Sequence, residues 1–173
     1  MGTERDSSTS WGWLRVVLIG RKPRFTVVRI VVLVTVVFWL RAEVILPIRM
    51  QGVSMLPTYP TWGINFVNRL AYRNSPPQRG DVVAIRTSGE SIMYLKRIIG
   101  LPGETVAFHE GRLLINGQAW PEPYIKNPCH WEMPEERVGL DEYFVVGDNR
   151  SMAIEDHYHG RMPRARLVGR IML

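Results

Sequence analysis

Two kinds of apolar pattern run along this chain, one continuous and one in short blocks. Residues 25–40 read FTVVRIVVLVTVVFWL, broken by Arg29, and the uncharged part, 30–40, covers eleven residues. A bare hydrocarbon span needs about 20. Arg29 and Arg41 flank the run and can snorkel outward, and Trp39 stands where an interfacial aromatic would. A helix from about residue 26 to 46 would be ~30 Å long. The run is therefore expected to be a single membrane anchor, with a pair of Val-rich buried strands as the competing reading. From Val44 onward the blocks become short and strand-like. Apolar runs at 82–85, 92–99, 105–108, 112–115 and 143–146 are separated by turn signals, among them Asn116-Gly117, Gly100-Leu101-Pro102-Gly103 and Gly147-Asp148-Asn149. A weak helical pattern shows only at 163–168. The expected fold class is mainly β, a compact β domain preceded by a single N-terminal transmembrane helix. Its divisions are a basic segment at 1–24, the anchor at 25–46 and a β-rich domain at 47–173.

Charge changes the picture once it is located. The net charge is +6, of which residues 1–48 carry +4 (seven Arg/Lys, three acids) and residues 49–173 only +2. The bulk of the chain is nearly balanced, so nucleic acid is not an expected partner. Arg15, Arg21, Lys22 and Arg24 precede the apolar run, while Arg41 and Arg49 follow it with Glu43 between them. The positive-inside bias puts the N-terminus in the cytoplasm and the β-rich domain across the cell membrane, a single-pass arrangement with membrane lipid as a partner. A cleaved leader would want small residues after the run, and Phe38-Trp39-Leu40-Arg41 has none. With 46% apolar and 22% charged residues the chain can bury a core. Its one cysteine, Cys129, excludes a disulfide framework and any multi-cysteine metal site.

Candidate chemistry begins on the strand 92–99. Side chains alternate faces there, so Ile92, Tyr94, Lys96 and Ile98 share one side while Met93, Leu95, Arg97 and Ile99 share the other. Burial disfavours an ammonium and can bring a lysine down from ~10.4 toward neutrality, whereas arginine stays charged. Lys96 is thus a candidate proton acceptor, although an isolated lysine is more often a snorkelling residue on an edge strand. Ser54, in Gly52-Val53-Ser54-Met55-Leu56-Pro57-Thr58, sits in a low-bulk loop that can present its hydroxyl. A serine hydroxyl is a weak nucleophile until a base takes its proton, and an amine can do so. Most serines in such turns are ordinary ones, and spacing alone does not pair Ser54 with Lys96. His157 and His159 stand at i, i+2 without an evident third metal ligand, so no metal is expected.

Four segments in order, Ser54-Met55-Leu56-Pro57-Thr58, Arg79-Gly80-Asp81-Val82-Val83, Tyr94-Leu95-Lys96-Arg97-Ile98-Ile99-Gly100-Leu101-Pro102-Gly103 and Gly147-Asp148-Asn149-Arg150, resemble the boxes of type I signal peptidases. The resemblance, from about Arg41 to Ile171 with an anchor in front, implies a membrane-bound serine endopeptidase. Ser54 would be the nucleophile and Lys96 the general base, with no cofactor. The substrates would be signal peptides of exported preproteins, bound extended and cut after small residues. By motif position, Met50, Gln51, Gly52, Met55, Tyr94 and Leu95 would line the pocket for the residue before the cut. Asp148 and Asn149 would stand behind the dyad.

The same resemblance marks two departures. Gly52 occupies a position where some members offer a serine hydroxyl to the oxyanion. After Gly147-Asp148-Asn149-Arg150 the pattern Ser-x-Asp-Ser-Arg is replaced by Ala153, Glu155, Asp156 and His157 at its four fixed positions. Ala153 cannot hydrogen-bond the lysine as the family serine does. Asp156 near Lys96 would hold the amine protonated, unless His157 pairs with Glu155 or Asp156. The departures keep two alternatives in view: a peptidase specialised for a few dedicated substrates, and a catalytically silent protein that captures signal peptides.

Overall fold

The computed structural model describes residues 23–86 and 93–172. The basic segment with Arg15, Arg21 and Lys22, and Ile92 at the head of the lysine strand, lie outside the described residues. The chain divides into two units, one up to Glu43 and one from Val44.

The Val-rich run forms helix α1 (Pro23–Val44), 22 residues long, so the strand-pair reading does not hold. Val28, Leu33 and Phe38 are all solvent-exposed, and Thr35 Oγ1 donates to the Val31 carbonyl at 2.8 Å, which spares that hydroxyl an outside partner. Among the described residues no helix is long and apolar enough to cross a membrane. Arg29 falls inside α1 and leaves eleven uncharged residues, about 16 Å of helix against the ~30 Å hydrocarbon core. A helix forms where one was expected, but the membrane-crossing anchor is not supported.

The second unit is mainly β, as expected. Among its described residues the strands are β1 (Ile45–Gln51), β2 (Trp62–Asn68), β3 (Val82–Arg86), β4 (Met93–Gly100), β5 (Thr105–His109) and β6 (Arg112–Ile115). They continue as β7 (Gln118–Ala119), β8 (Met133–Arg137), β9 (Glu142–Val146), β10 (Gly160–Pro163) and β11 (Leu167–Met172). A larger sheet has the order β1-β2-β11-β3-β4-β9-β10 and a smaller one β7-β6-β5-β8, with antiparallel pairing throughout. The weak helical pattern at 163–168 becomes one 3-10 turn, Arg164–Arg166.

Strands β3 and β9 read as unbroken apolar runs because both of their faces are covered. Val82 and Ala84 pack with Met55, Tyr59 and Val67, whereas Val83 and Ile85 pack with Ile98, Val145 and Leu167 on the opposite face. Phe144 and Val146 of β9 turn instead toward Val106, Phe108, Leu113 and Trp131, which joins the smaller sheet to the larger. Gly100 permits that junction, since a Cβ there would stand 2.5 Å from Val106 Cγ2 and 2.8 Å from Phe144 Cβ.

Candidate active site

Lys96 is 1% exposed, so it is no snorkelling edge residue. It pairs with Val83 of β3, and on the other side Arg97 faces Val146 and Ile98 faces Val145 of β9. Lys96 stands close enough to Asp148 for that carboxylate to act on its amine, and close enough to His157 for its own charge to act on that ring. Burial lowers the Lys96 amine to about 8, against the contrary pull of the Asp148 carboxylate. Near neutral pH a useful fraction of this amine is therefore uncharged.

Gly147 is where the serine loop comes down. A Cβ at Gly147 would lie 2.3 Å from the Ser54 carbonyl oxygen and 2.8 and 2.9 Å from His157 Cε1 and Nδ1. The missing side chain makes the notch in which the Ser54 backbone and the His157 ring meet. Asn149 fastens the loop: its N–H donates to the Ser54 carbonyl at 2.9 Å and its Nδ2 to the Val53 carbonyl at 3.0 Å. Gly147→Ala is accordingly expected to displace the loop. Overpacking of this kind costs ~1–3 kcal/mol, and a misplacement near 1 Å can cost about 100-fold in rate. Reporter cleavage and thermal melting of this variant measure both, and an unimpaired rate would contradict the notch.

The expected pocket residues meet in one small cavity. Met50, Gln51, Gly52, Met55, Tyr94 and Leu95 line it with Ser54 and with Ile48, Arg49 and Met93, and its volume is about 40 Å³. That is space on the order of one water, and so of one small side chain. A larger cleft of about 530 Å³ lies beside Trp120 and Cys129, and Ser54 is not among its lining residues. β1 is an edge strand, and β4 meets β9 only from Arg97 onward, which leaves its 93–96 stretch paired on one side. Gly52 has φ +118°, so a serine there would be strained although nothing stands within 4 Å of its Cβ position.

The residues behind the dyad separate into two groups. Asp148, Asn149 and His157 are buried, while Ala153, Glu155 and Asp156 are exposed around the short turn Ile154–Asp156. The acid beside Lys96 is thus Asp148 and not Asp156. His157 does not turn to Glu155 or Asp156 either; its Nε2 meets the Asn149 carbonyl at 2.7 Å, and His159 Nδ1 meets the His157 carbonyl at 2.8 Å. The exposed acids lie away because Ile154 packs against the core and fixes the short turn with its acids outward.

Two buried ion pairs hold this corner. Arg97 donates to both Asp148 oxygens at 2.8 and 2.6 Å and to the Gly80 carbonyl at 2.7 Å. Arg150 donates to the Gly147 carbonyl at 3.0 Å and to Glu122, with the rings of Phe108 and Trp131 about it. Sequence reasoning assigned no role to Gly147, Arg97, Arg150 or Glu122. The first three lie inside the quoted segments, whereas nothing near Glu122 marked it.

Residues 24–173 match the family described as signal peptidase, peptidase S26. A signal peptidase I of Leptolyngbya laminosa is 38% identical over 128 residues, covering 69% of this chain and 63% of that protein. Signal peptidase I V of Bacillus subtilis (strain 168) is 29% identical over 162 residues, covering 86% and 96%. A probable signal peptidase I-2 of Synechocystis is matched over 56% of its length, so the chain spans less than two thirds of these cyanobacterial relatives. A solved signal peptidase I from Enterococcus faecalis V583 superposes with a TM-score of 0.48 at 30% identity, covering 57% of this chain and 98% of that one. The family model and the sequence relatives are all described as signal peptidases. The chain belongs to the signal peptidase, peptidase S26, family.

Proposed function

We propose that this protein is a serine endopeptidase that removes N-terminal signal peptides from exported preproteins, with Ser54 as nucleophile and Lys96 as general base. The observation that supports the reading is the buried Lys96 amine, lowered to about 8, whose charge acts on the His157 ring that meets the Ser54 loop at the Gly147 notch. Neutral Lys96 takes the Ser54 hydroxyl proton as Oγ attacks the scissile carbonyl. The resulting ammonium gives that proton to the departing amine, and the acyl group stays on Ser54. Lys96 then deprotonates a water that attacks the ester and returns that proton to Ser54 Oγ as the acyl–oxygen bond breaks; the acid released ionises in water. The Ser54 N–H is the candidate donor to the oxyanion, and Gly52 adds no hydroxyl to it.

The substrate segment lies extended between β1 and the 93–96 stretch of β4, where main-chain hydrogen bonds supply affinity and the 40 Å³ cavity admits only a small side chain. Incubating the full chain with a preprotein carrying small residues before its cleavage site should yield a mature product with one new N-terminus. Stoichiometric binding without product would contradict the reading and favour a capture protein.

Membrane association belongs to the same proposal. Its support is the all-round exposure of the apolar residues of α1 and, on the β unit, of Trp62, Ile64 and Phe66 on one face of β2. The full chain should float with phospholipid vesicles and resist high-salt release; recovery in the aqueous fraction would refute it.

A further inference from the structure

His157 is 5% exposed, and its ring is held from several sides. Trp131 meets it edge to face, with centroids 4.8 Å apart at 70°. Nε2 lies 2.7 Å from the Asn149 carbonyl oxygen, an atom that can only accept, so the proton is on Nε2. Burial, against the contrary pull of the bond to the Asn149 carbonyl and with help from the nearby Lys96 and Arg150, pushes the ring down to about 4, which keeps it neutral at working pH. Nδ1 therefore carries a lone pair, and it is the one buried side-chain nitrogen or oxygen among the described residues with no hydrogen-bond partner. An unmet buried acceptor costs ~1–3 kcal/mol.

What faces this nitrogen narrows its partner. It borders the Gly147 notch, and the charge of Lys96 acts on the ring. Of the nitrogen-bearing side chains about the ring, Arg150 is committed to Glu122 and the Gly147 carbonyl, and His159 turns its Nδ1 to the His157 carbonyl. The Lys96 amine is the remaining donor. Ala153, where the sequence resemblance leads one to look for a hydroxyl, is exposed and has only a methyl.

We infer that His157 is a positioning residue for Lys96, its Nδ1 accepting a hydrogen bond from the lysine amine as that amine receives the Ser54 proton; in the resting structure the two nitrogens are not bonded. The inference rests on the Ser54/Lys96 reading above. It completes one path of hydrogen bonds, in which Asn149 holds the Ser54 loop by its N–H and His157 by its carbonyl, and His157 holds the base. Nucleophile and base are then located by the same residue.

Two variants of the full chain separate this role from simple packing. In His157→Gln the amide nitrogen reaches the Nε2 position, so the bond to Asn149 and the melting temperature are kept while the acceptor toward Lys96 is lost. In His157→Asn the amide oxygen takes the Nδ1 position. Reporter cleavage should fall about 10- to 100-fold in His157→Gln. Its lysine limb in the pH–rate profile should move to lower pH, because an acceptor favours the ammonium and that acceptor is gone. His157→Asn should retain the wild-type limb. A His157→Gln enzyme with wild-type rate and limb overturns the inference, as does a ring shown by ¹⁵N NMR of the wild-type chain to carry its proton on Nδ1. That NMR result also decides the case if both variants prove unstable. Lys96→Met, assayed alongside, keeps the two readings apart: if it cleaves, the dyad fails; if it is dead while His157→Gln is normal, only the positioning role fails.

Discussion

Lys96→Met is expected to lower turnover by about 10²–10⁴-fold while making the fold more stable. Activity is lost because methionine fills the same space without an amine to take the Ser54 proton. Stability rises because Lys96 is almost wholly buried and its amine is lowered from 10.5 to about 8. Between those two values the unfolded chain binds more protons than the folded one, so stability climbs with pH across that window. Below about pH 8 the penalty of burying the charge is fully present, on the order of 3 kcal/mol at 1.36 kcal/mol per unit. Methionine removes it. Urea unfolding at pH 7 should show the variant more stable than wild type, with the difference shrinking as pH nears 10.5. Ser54→Ala should be equally inactive with nearly unchanged stability, since Ser54 is only half-buried. A Lys96→Met chain that cleaves at the wild-type rate, or that unfolds more easily at pH 7, contradicts this account.

Asp148→Ala should destabilise more than any other single change at the site. The Asp148 side chain is fully buried and receives two bonds from Arg97, whose guanidinium also lies 3.9 Å from the centroid of the Tyr124 ring. Removing the carboxylate leaves a buried cation uncompensated, which costs about 3–5 kcal/mol. Replacing both partners with apolar residues of similar volume should cost much less, because no charge is stranded. A double-mutant cycle followed by urea unfolding makes the comparison. Asp148 also raises the Lys96 pKa, so a folded Asp148→Ala enzyme should show its activity limb displaced to lower pH.

The sequence made the strands that pack on both sides legible. Runs such as 82–85 and 143–146 are apolar throughout because β3 and β9 are covered on both faces. Strands with other partners were hidden. In β2 the residues Trp62, Ile64 and Phe66 face outward, the reverse of the usual alternation, and β8 carries Pro134 and three charged residues in five positions. The six residues grouped by motif position line one cavity with Ser54. The region after Arg150 was not. Whether Asp156 or His157 turns inward depends on the short turn at Ile154–Asp156 and on Trp131, which lies far away in sequence. The apolar run before the β unit gave its helix correctly, but the charge of Arg29 within it shortens the stretch suited to lipid.

The pH dependence of Ser54 acylation tests the central claim most directly, because it reads the nucleophile while the base is titrated. Labelling of the full chain with a serine-reactive acylating probe, located on Ser54 by peptide mass spectrometry, should rise tenfold per pH unit and level off near pH 8, with no labelling in Lys96→Met. Labelling that levels off near pH 6.5, or that persists at Ser54 when Lys96 is methionine, would mean that another group takes the proton.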